Sequence, residues 1–408
     1  MFVTRLYIDP GTGSALFSIV IGIVAVSYFL FRSIFLKVKV LLFRQNDASS
    51  SGHKFVIYAE DKRYWSFFEP VLVELESRQK EVLYLSSSED DPVFSSSFKY
   101  IKGKFIGKGN KAFAYLNFIS ADFVLATTPD LDVLQWKRSK AVKHYCHMFH
   151  MISGSMLYRL YSLDFYDSII LSGENEIPEI RYLENLRKLP AKQLVVAGNT
   201  FLDRYSEKLK SIPIEEDHPF TVLVSPSWGA SGLLKVYGER LLDPLVETGW
   251  RIIVRPHPQS VIVENSMLES LTERYKGKNN VEWDYLHENI YALAKSDVMI
   301  SDFSGIIYDY IFLFDRPVLF SLSTMDLRPY DAHNLPDEPS YFQISRKVGV
   351  ELKEASFSSI KEVISDLLNN TALHENRQEA KRIMWHYQGE ASKRIVDFMI
   401  DTVSREDA

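Results

Sequence analysis

Between residues 54 and 320, short β-branched or aromatic runs alternate with segments of helical period, and the whole alternation occurs twice. Few folds are open to such a chain, because each strand–helix–strand step builds a parallel sheet with helices on both faces. In the first half the expected strands are Phe55–Ala59, Val82–Ser86, Phe123–Thr127, Val142–Phe149, Ser168–Ser172 and Leu194–Ala197, with helices near Trp65–Ser77, Lys111–Ile119 and Pro178–Leu186. In the second half the strands are Thr221–Ser225, Arg251–Arg255, Val281–Asp284, Val298–Ile300 and Pro317–Ser321, with helices near Leu233–Thr248, Val263–Tyr275, Asn289–Lys295 and Ile306–Leu313. Between the halves lies Ile212–Pro219 (IPIEEDHP), with prolines and acids and little apolar content, which places a domain boundary there. The expected class is α/β, two Rossmann-like doubly wound domains at residues 54–211 and 212–372 that face a cleft. The 408 residues are enough for both cores. Residues 373–408 have long helical character and are expected to pack back across the first domain.

Ahead of the first domain, residues 12–31 (TGSALFSIVIGIVAVSYFLF) carry no charge and match a bilayer core in length, so a transmembrane helix is expected there. Arg32, Lys37, Lys39 and Arg44 follow it, against Arg5 alone before it. That asymmetry predicts a single pass with residues 1–11 outside and the body in the cytoplasm. No small-residue cleavage site follows a basic start, so the segment reads as retained rather than as a signal peptide. Residues 32–53 combine a basic, apolar juxtamembrane stretch suited to anionic lipid with a Ser-rich linker, QNDASSSGH. The net charge of −6 gives no global attraction to nucleic acid. A single cysteine, Cys146, excludes an intrachain disulfide and a Cys-rich zinc site, and reads as a core thiol.

The polar residues at the carboxyl edges of the two sheets are where a ligand would meet the fold. Val298–Ile300 breaks into Ser301-Asp302-Phe303-Ser304-Gly305 before helical spacing resumes, a strand-to-helix turn with hydroxyls and free N–H groups that suits a phosphate. An ordinary capped turn would use the same residue types. The strand Arg251–Arg255 runs into Arg255-Pro256-His257-Pro258, whose prolines hold His257 in one direction while Arg255 supplies a permanent charge. Thr221–Ser225 ends in Pro226-Ser227-Trp228-Gly229, offering a hydroxyl and a ring that is either core or a wall for a base. His144, His147 and His150 recur at intervals of three. On a strand that spacing puts His147 on the opposite face from the other two, so they do not converge on one metal ion. His150, at the strand's end before Met151-Ile152-Ser153-Gly154, is placed to act as a general base near neutral pH. Asp130 and Asp132 follow a TTP turn where a helix cap explains them.

Taken in order, His150 with its Ser-Gly turn, PSW at 226–228, RPHP at 255–258 and SDFSGIIYDY at 301–310 resemble the bacterial CDP-glycerol glycerophosphotransferase family of teichoic-acid-type polymer synthesis. The resemblance spans His144 to Phe320. It implies a GT-B fold with the donor bound mainly by the second domain, no metal cofactor, His150 as the base for the acceptor hydroxyl and His257 on the donor phosphates. By position it places Ser227, Trp228, Gly229, Arg255, Ser301, Asp302, Ser304, Gly305 and Asp309 in the donor site. Gly229 stands where the family usually has an arginine, and MISG replaces its more usual Gly-Thr-Pro sequence. The expected function is transfer of a polyol-phosphate group from a CDP-activated donor to a lipid-linked or glycan acceptor at the bacterial inner membrane. The alternatives are a GT-B glycosyltransferase using a CMP- or UDP-sugar, and a membrane-anchored binding protein without turnover.

Overall fold

A computed structural model describes residues 19–32, 34, 52–212, 218–286, 288–322 and 325–406. Residues 1–52 and 53–408 form separate units. In the first, residues 19–32 and 34 are helical, with Ile19, Ile23, Phe29 and Phe31 among the exposed apolar side chains. Among the described residues no helix is long and apolar enough to cross a membrane, and residues 12–18 of the expected span lie outside them.

The second unit holds two parallel sheets. The first contains β1 (His53–Ala59), β2 (Val82–Ser86), β3 (Ile101–Phe105), β4 (Ala121–Ala126), β5 (Val142–Met148), β6 (Ser168–Leu171) and β7 (Gln193–Val196), in the order β3-β2-β1-β4-β5-β6-β7. The second contains β8 (Thr221–Val224), β9 (Arg251–Val254), β10 (Val281–Trp283), β11 (Val298–Ser301), β12 (Val318–Phe320) and β13 (Val350–Glu351), in the order β10-β9-β8-β11-β12-β13. Central strands such as β8 and β11 are mostly apolar and buried throughout, as helix-covered parallel strands must be. Ile57 pairs with Leu125 in one sheet and Val224 with Ile300 in the other. Strand order therefore reverses between β1 and β4, and again between β8 and β11. The crevice beyond such a reversal is where open α/β sheets bind ligands.

Three departures from the sequence expectation concern element ends. The expected helix Leu233–Thr248 is two helices, Leu233–Val236 and Glu239–Glu247, split at Gly238 with φ +46°. The expected helix Val263–Tyr275 is preceded by a short separate one, Pro258–Val263, which His257 caps. The tail forms two helices, Ala372–Met384 and Ala391–Glu406, rather than one. Ile395, Val396, Met399 and Val403 of the last helix are buried against Phe55, Ile57, Phe123 and Cys146 of the first sheet. The expected linker 212–219 falls largely on residues 213–217, outside the described residues. A further apolar cluster joins the domains, with Ile152 and Leu202 packed among Leu223, Met299, Ile307 and Tyr341.

Candidate active site

The turn after β8 and the turn after β11 are built as one piece. The buried Asp302 carboxylate accepts the N–H groups of Ser227 at 2.9 Å, Leu233 at 2.9 Å and Ser304 at 3.2 Å. Ser301 Oγ donates to the Ser225 carbonyl at 2.6 Å. Ser301 and Asp302 thus spend their side chains holding the two turns together, and burial raises the Asp302 carboxyl to about 6 despite those donors. Ser304 and Gly305 stay half-buried at the start of helix Ile306–Phe314, whose first N–H groups have no partner within the helix. Asp309, one turn further on, is pushed up to about 7 by burial alone. Gly229 has φ +92° and nothing within 4 Å of a Cβ placed on it, so the turn is open where a side chain would stand.

His257 caps the helix Pro258–Val263 and lies next to Trp228 of the turn after β8. Its Nδ1 accepts the Gln259 N–H at 3.1 Å, which leaves the proton of the neutral ring on Nε2, free to donate. Trp228 is 46% exposed, and its ring lies 6.4 Å from that of His257 at 30°. Trp228 is therefore a wall and not core. Arg255, expected in the donor site, is buried; it pairs with Asp284 and donates to the Leu286 carbonyl. In the wall opposite, His150 follows β5 and is half-buried, with Nδ1 3.2 Å from the Tyr158 hydroxyl and its ring 5.0 Å from that of Tyr64. The loop after it touches the donor turn, since a Cβ on Gly305 would sit 3.6 Å from Met151 Cβ. Burial and the Arg63 guanidinium push His150 down to about 4, with His257 adding to the same effect, and burial and Arg63 also bring His257 to about 4.

The three histidines occupy three environments. His144 bonds Ser168 Oγ at 2.7 Å and stacks on Phe123, and His147 is wholly buried among the rings of Phe149, Tyr158 and Tyr166. Only His150 reaches the cleft. Cys146 is buried and its thiol is pushed up to about 12, which suits a core residue. Among the described residues no group of three His, Cys, Asp or Glu side chains is arranged to hold a metal ion.

Several residues at the site were not anticipated. Arg63 and Tyr64 stand just beyond β1, and with Glu60, Asp61, Ser87, Ser88, Lys108 and Gly109 they line a hollow of about 360 Å³. Asking which charges follow the first strand of a doubly wound sheet would have pointed to Asp61-Lys62-Arg63. Glu176 is buried and accepts the Gly154 N–H at 2.8 Å and the Ser155 N–H and hydroxyl at 2.7 Å each, pinning the loop after His150. Asn175 donates to Ser153 Oγ at 3.0 Å, and Glu179 accepts the Ser340 N–H from the second domain.

Residues 200–401 match the family described as CDP-Glycerol:Poly(glycerophosphate) glycerophosphotransferase. Among solved structures, the wall teichoic acid polymerase TagF soaked with CDPG superposes with a TM-score of 0.57 at 13% identity, covering 94% of this chain and 96% of that one. A putative UDP-N-acetylglucosamine 2-epimerase from Listeria monocytogenes gives 0.56 at 16% identity, over 88% of this chain and 98% of its own. The UDP-GlcNAc 2-epimerase from Neisseria meningitidis bound to UDP-GlcNAc gives 0.53 at 16%, over 86% and 100%. At these identities the superpositions establish the fold. No curated protein sequence matches the chain. The family match covers the domain that carries Trp228, His257 and the 301–305 turn, and the chain is a CDP-glycerol glycerophosphotransferase-like transferase of GT-B-like fold.

Proposed function

We infer that the chain moves a glycerophosphate-type group from CDP-glycerol, or a related CDP-alcohol, to a hydroxyl on a lipid-linked or glycan acceptor in cell-surface polymer synthesis. The observation that carries this is the meeting of His150 from one domain with His257 from the other, the loop after His150 touching Gly305 and the Trp228 ring lying by His257. The diphosphate rests on that turn, with the nucleobase against Trp228 and the polyol end toward Asp309. His150 uses Nε2 as the base, which requires its Nδ1–H to donate to the Tyr158 oxygen. As the acceptor oxygen loses its proton to His150, it bonds to the distal phosphorus. The bond from that phosphorus to CMP breaks, and CMP leaves with the electron pair, steadied by His257 Nε2–H and the turn's N–H groups. Neither step calls for a metal ion.

Membrane attachment belongs to the same proposal, supported by the uncharged run 12–31 and the exposed apolar side chains of helix 19–32. The body is placed on the cytoplasmic side by the basic residues after that run. The donor is tested by calorimetry of the full chain against CDP-glycerol, CDP-ribitol, CMP-sialate and UDP-sugars, followed by assay for CMP release with acceptor present. Binding of CDP-alcohols and CMP supports the reading. The occurrence of the same fold in UDP-GlcNAc 2-epimerases makes exclusive binding of UDP-sugars the outcome that would replace it by a UDP-sugar enzyme. Nucleotide binding without any CMP release would leave a binding protein.

A further inference from the structure

Beyond β12 the chain leaves the second sheet and lies along the first domain before it returns as helix Ser340–Val348. Leu327, Tyr330 and Leu335 pack against the core that contains Tyr158, Leu163 and Tyr166, and Ala332 is buried within it. The segment clasps the first domain through its backbone. Leu160 N–H donates to the Pro329 carbonyl at 3.2 Å, Asp331 N–H donates to the Tyr158 carbonyl at 3.0 Å, and Arg159 pairs antiparallel with Tyr330. Asp331 locks the clasp: its buried carboxylate accepts the Tyr161 N–H at 3.0 Å and the Arg187 guanidinium, which also reaches Asp164 at 2.6 Å. Where the segment returns, Tyr341 donates its hydroxyl to the Phe303 carbonyl at 3.0 Å, inside the 301–305 turn, and its ring would meet a Cβ on Gly154 at 3.5 Å. One stretch of the second domain therefore touches both the donor turn and the loop after His150.

Tyr158 is where the clasp meets the base. Its carbonyl is held by Asp331, its ring packs on those of His147 and Phe149 at 5.7 Å each, and its hydroxyl lies 3.2 Å from His150 Nδ1. Which nitrogen of a neutral imidazole carries the proton is set by the hydrogen bond the ring makes. We propose that Tyr158 and Asp331 are positioning residues for the transfer: through them the second domain holds the imidazole of the first with Nδ1 toward the Tyr158 oxygen and Nε2 toward the acceptor. The proposal rests on the transferase reading and adds that the base is set by the domain that binds the donor. Without the Tyr158 oxygen the ring proton is free to move to Nε2, and a protonated Nε2 accepts nothing from the acceptor hydroxyl.

The test is nitrogen NMR of the full chain with isotope-labelled histidine, the ring signals of His150 being those lost in His150→Ala. Wild type should show a protonated Nδ1 and an unprotonated Nε2. Tyr158→Phe, which keeps the ring in the core, should pass part of the proton to Nε2, and Asp331→Ala should do the same although Asp331 bonds only the Tyr158 backbone and its neighbours. Turnover, read as CMP release with acceptor present, should fall about tenfold or more in both, because part of the roughly 10²–10⁴ that a placed base contributes is lost. CMP affinity by calorimetry should stay unchanged. Asp331→Asn, which keeps an oxygen for the Tyr161 N–H, should recover most of the turnover. An unprotonated Nδ1 in wild type, normal turnover in Tyr158→Phe, or His150 signals unchanged in Asp331→Ala would overturn the proposal. So would a loss of CMP affinity that matches the loss of turnover in Tyr158→Phe, which would make Tyr158 part of the donor site. Absence of CMP release from wild type would strike the transferase reading, and the ring signals would still report whether the clasp sets His150.

Discussion

His150 and His257 are held neutral by burial and by the charge of Arg63, and that sets how activity should respond to pH. A base depressed to about 4 is ready to accept a proton throughout the physiological range. The acidic limb of kcat/KM should therefore fall near pH 4, well below the ~6.5 of an unperturbed imidazole. Bound donor brings negative charge to the same cleft and offsets Arg63, so the limb in kcat should lie at higher pH than the limb in kcat/KM. His150→Ala should lower turnover by roughly 10²–10⁴ and leave donor affinity nearly unchanged. Near-normal turnover in the variant would remove His150 from the reaction, whereas an acidic limb that persists at the reduced rate would report His257, which is also brought to about 4. His257→Ala should weaken nucleotide binding as well as turnover, because its Nε2–H serves the donor itself. The sequence was informative about these two residues because prolines and a strand end fix their positions, and uninformative about Arg255. Nothing in RPHP says that Asp284, at the end of a different strand, will claim its guanidinium. Glu176 was equally invisible, since its role exists only once distant loops are brought together, whereas Arg63 could be sought among the charges that follow the first strand.

Among the elements, central strands were legible and edges were not. β1 from Phe55 on, β8 from Val222 on and β11 as far as Ile300 are apolar runs buried on both faces, whereas β3 reads Ile-Lys-Gly-Lys-Phe and looks like a loop. It is an edge strand, where lysine discourages pairing with another chain, and Gly103 lets the side chains of Val93 and Phe94 lie against it: a Cβ there would be 2.9 Å from Val93 Cγ1. The same close packing makes Gly173 a sharp test of how helix Ala372–Met384 docks. A Cβ at Gly173 would stand 2.1 Å from the Ile383 carbonyl oxygen and 2.6 Å from Met384 Cα, both backbone. Gly173→Ala must shift that helix end and should destabilise the protein by about 1–3 kcal/mol or more, seen as a lowered Tm. Helix Ile177–Arg187 carries a second test at its first turn. Burial, and then the charge of Glu176, raises Glu179 to about 7, above its value in the unfolded chain. Its contribution to stability is therefore complete below the unfolded pKa and is lost as pH rises through about 7. Glu179→Gln has no such loss, so its stability relative to wild type should improve from pH 5 to pH 8 in denaturant titrations. A constant difference would show that the carboxyl does not titrate there.

For the molecule as a whole, the chain order of the two domains hides a dependence of the first on the last residues of the chain. The alternation of strand and helix announces both sheets, yet the first sheet lacks part of its cover until helix Ala391–Glu406 returns to it. Ile395, Val396, Phe398, Met399 and Val403 enter the core that contains Phe55, Ile57, Leu72 and Phe123. Phe398 meets the rings of Phe123 and His144 edge-on. Asp203 fixes the approach, accepting the Trp385 indole N–H at 3.1 Å and the Ala391 N–H at 3.0 Å. Burying five such side chains is worth roughly 1.5–3 kcal/mol each, or about 8–15 kcal/mol together as an upper bound. Total stabilities of single domains are of the same order, about 5–15 kcal/mol. A chain ending at Glu390 should therefore leave the first domain unfolded while the second sheet, whose core draws on none of these residues, keeps its structure. Hydrogen exchange would show protection lost across β1, β4 and β5 and retained across β8 and β11. CMP should still bind and transfer should cease, because the donor floor survives and the wall that carries His150 does not. Retained protection in β1, β4 and β5 would show that the first sheet is stable without the returning helix.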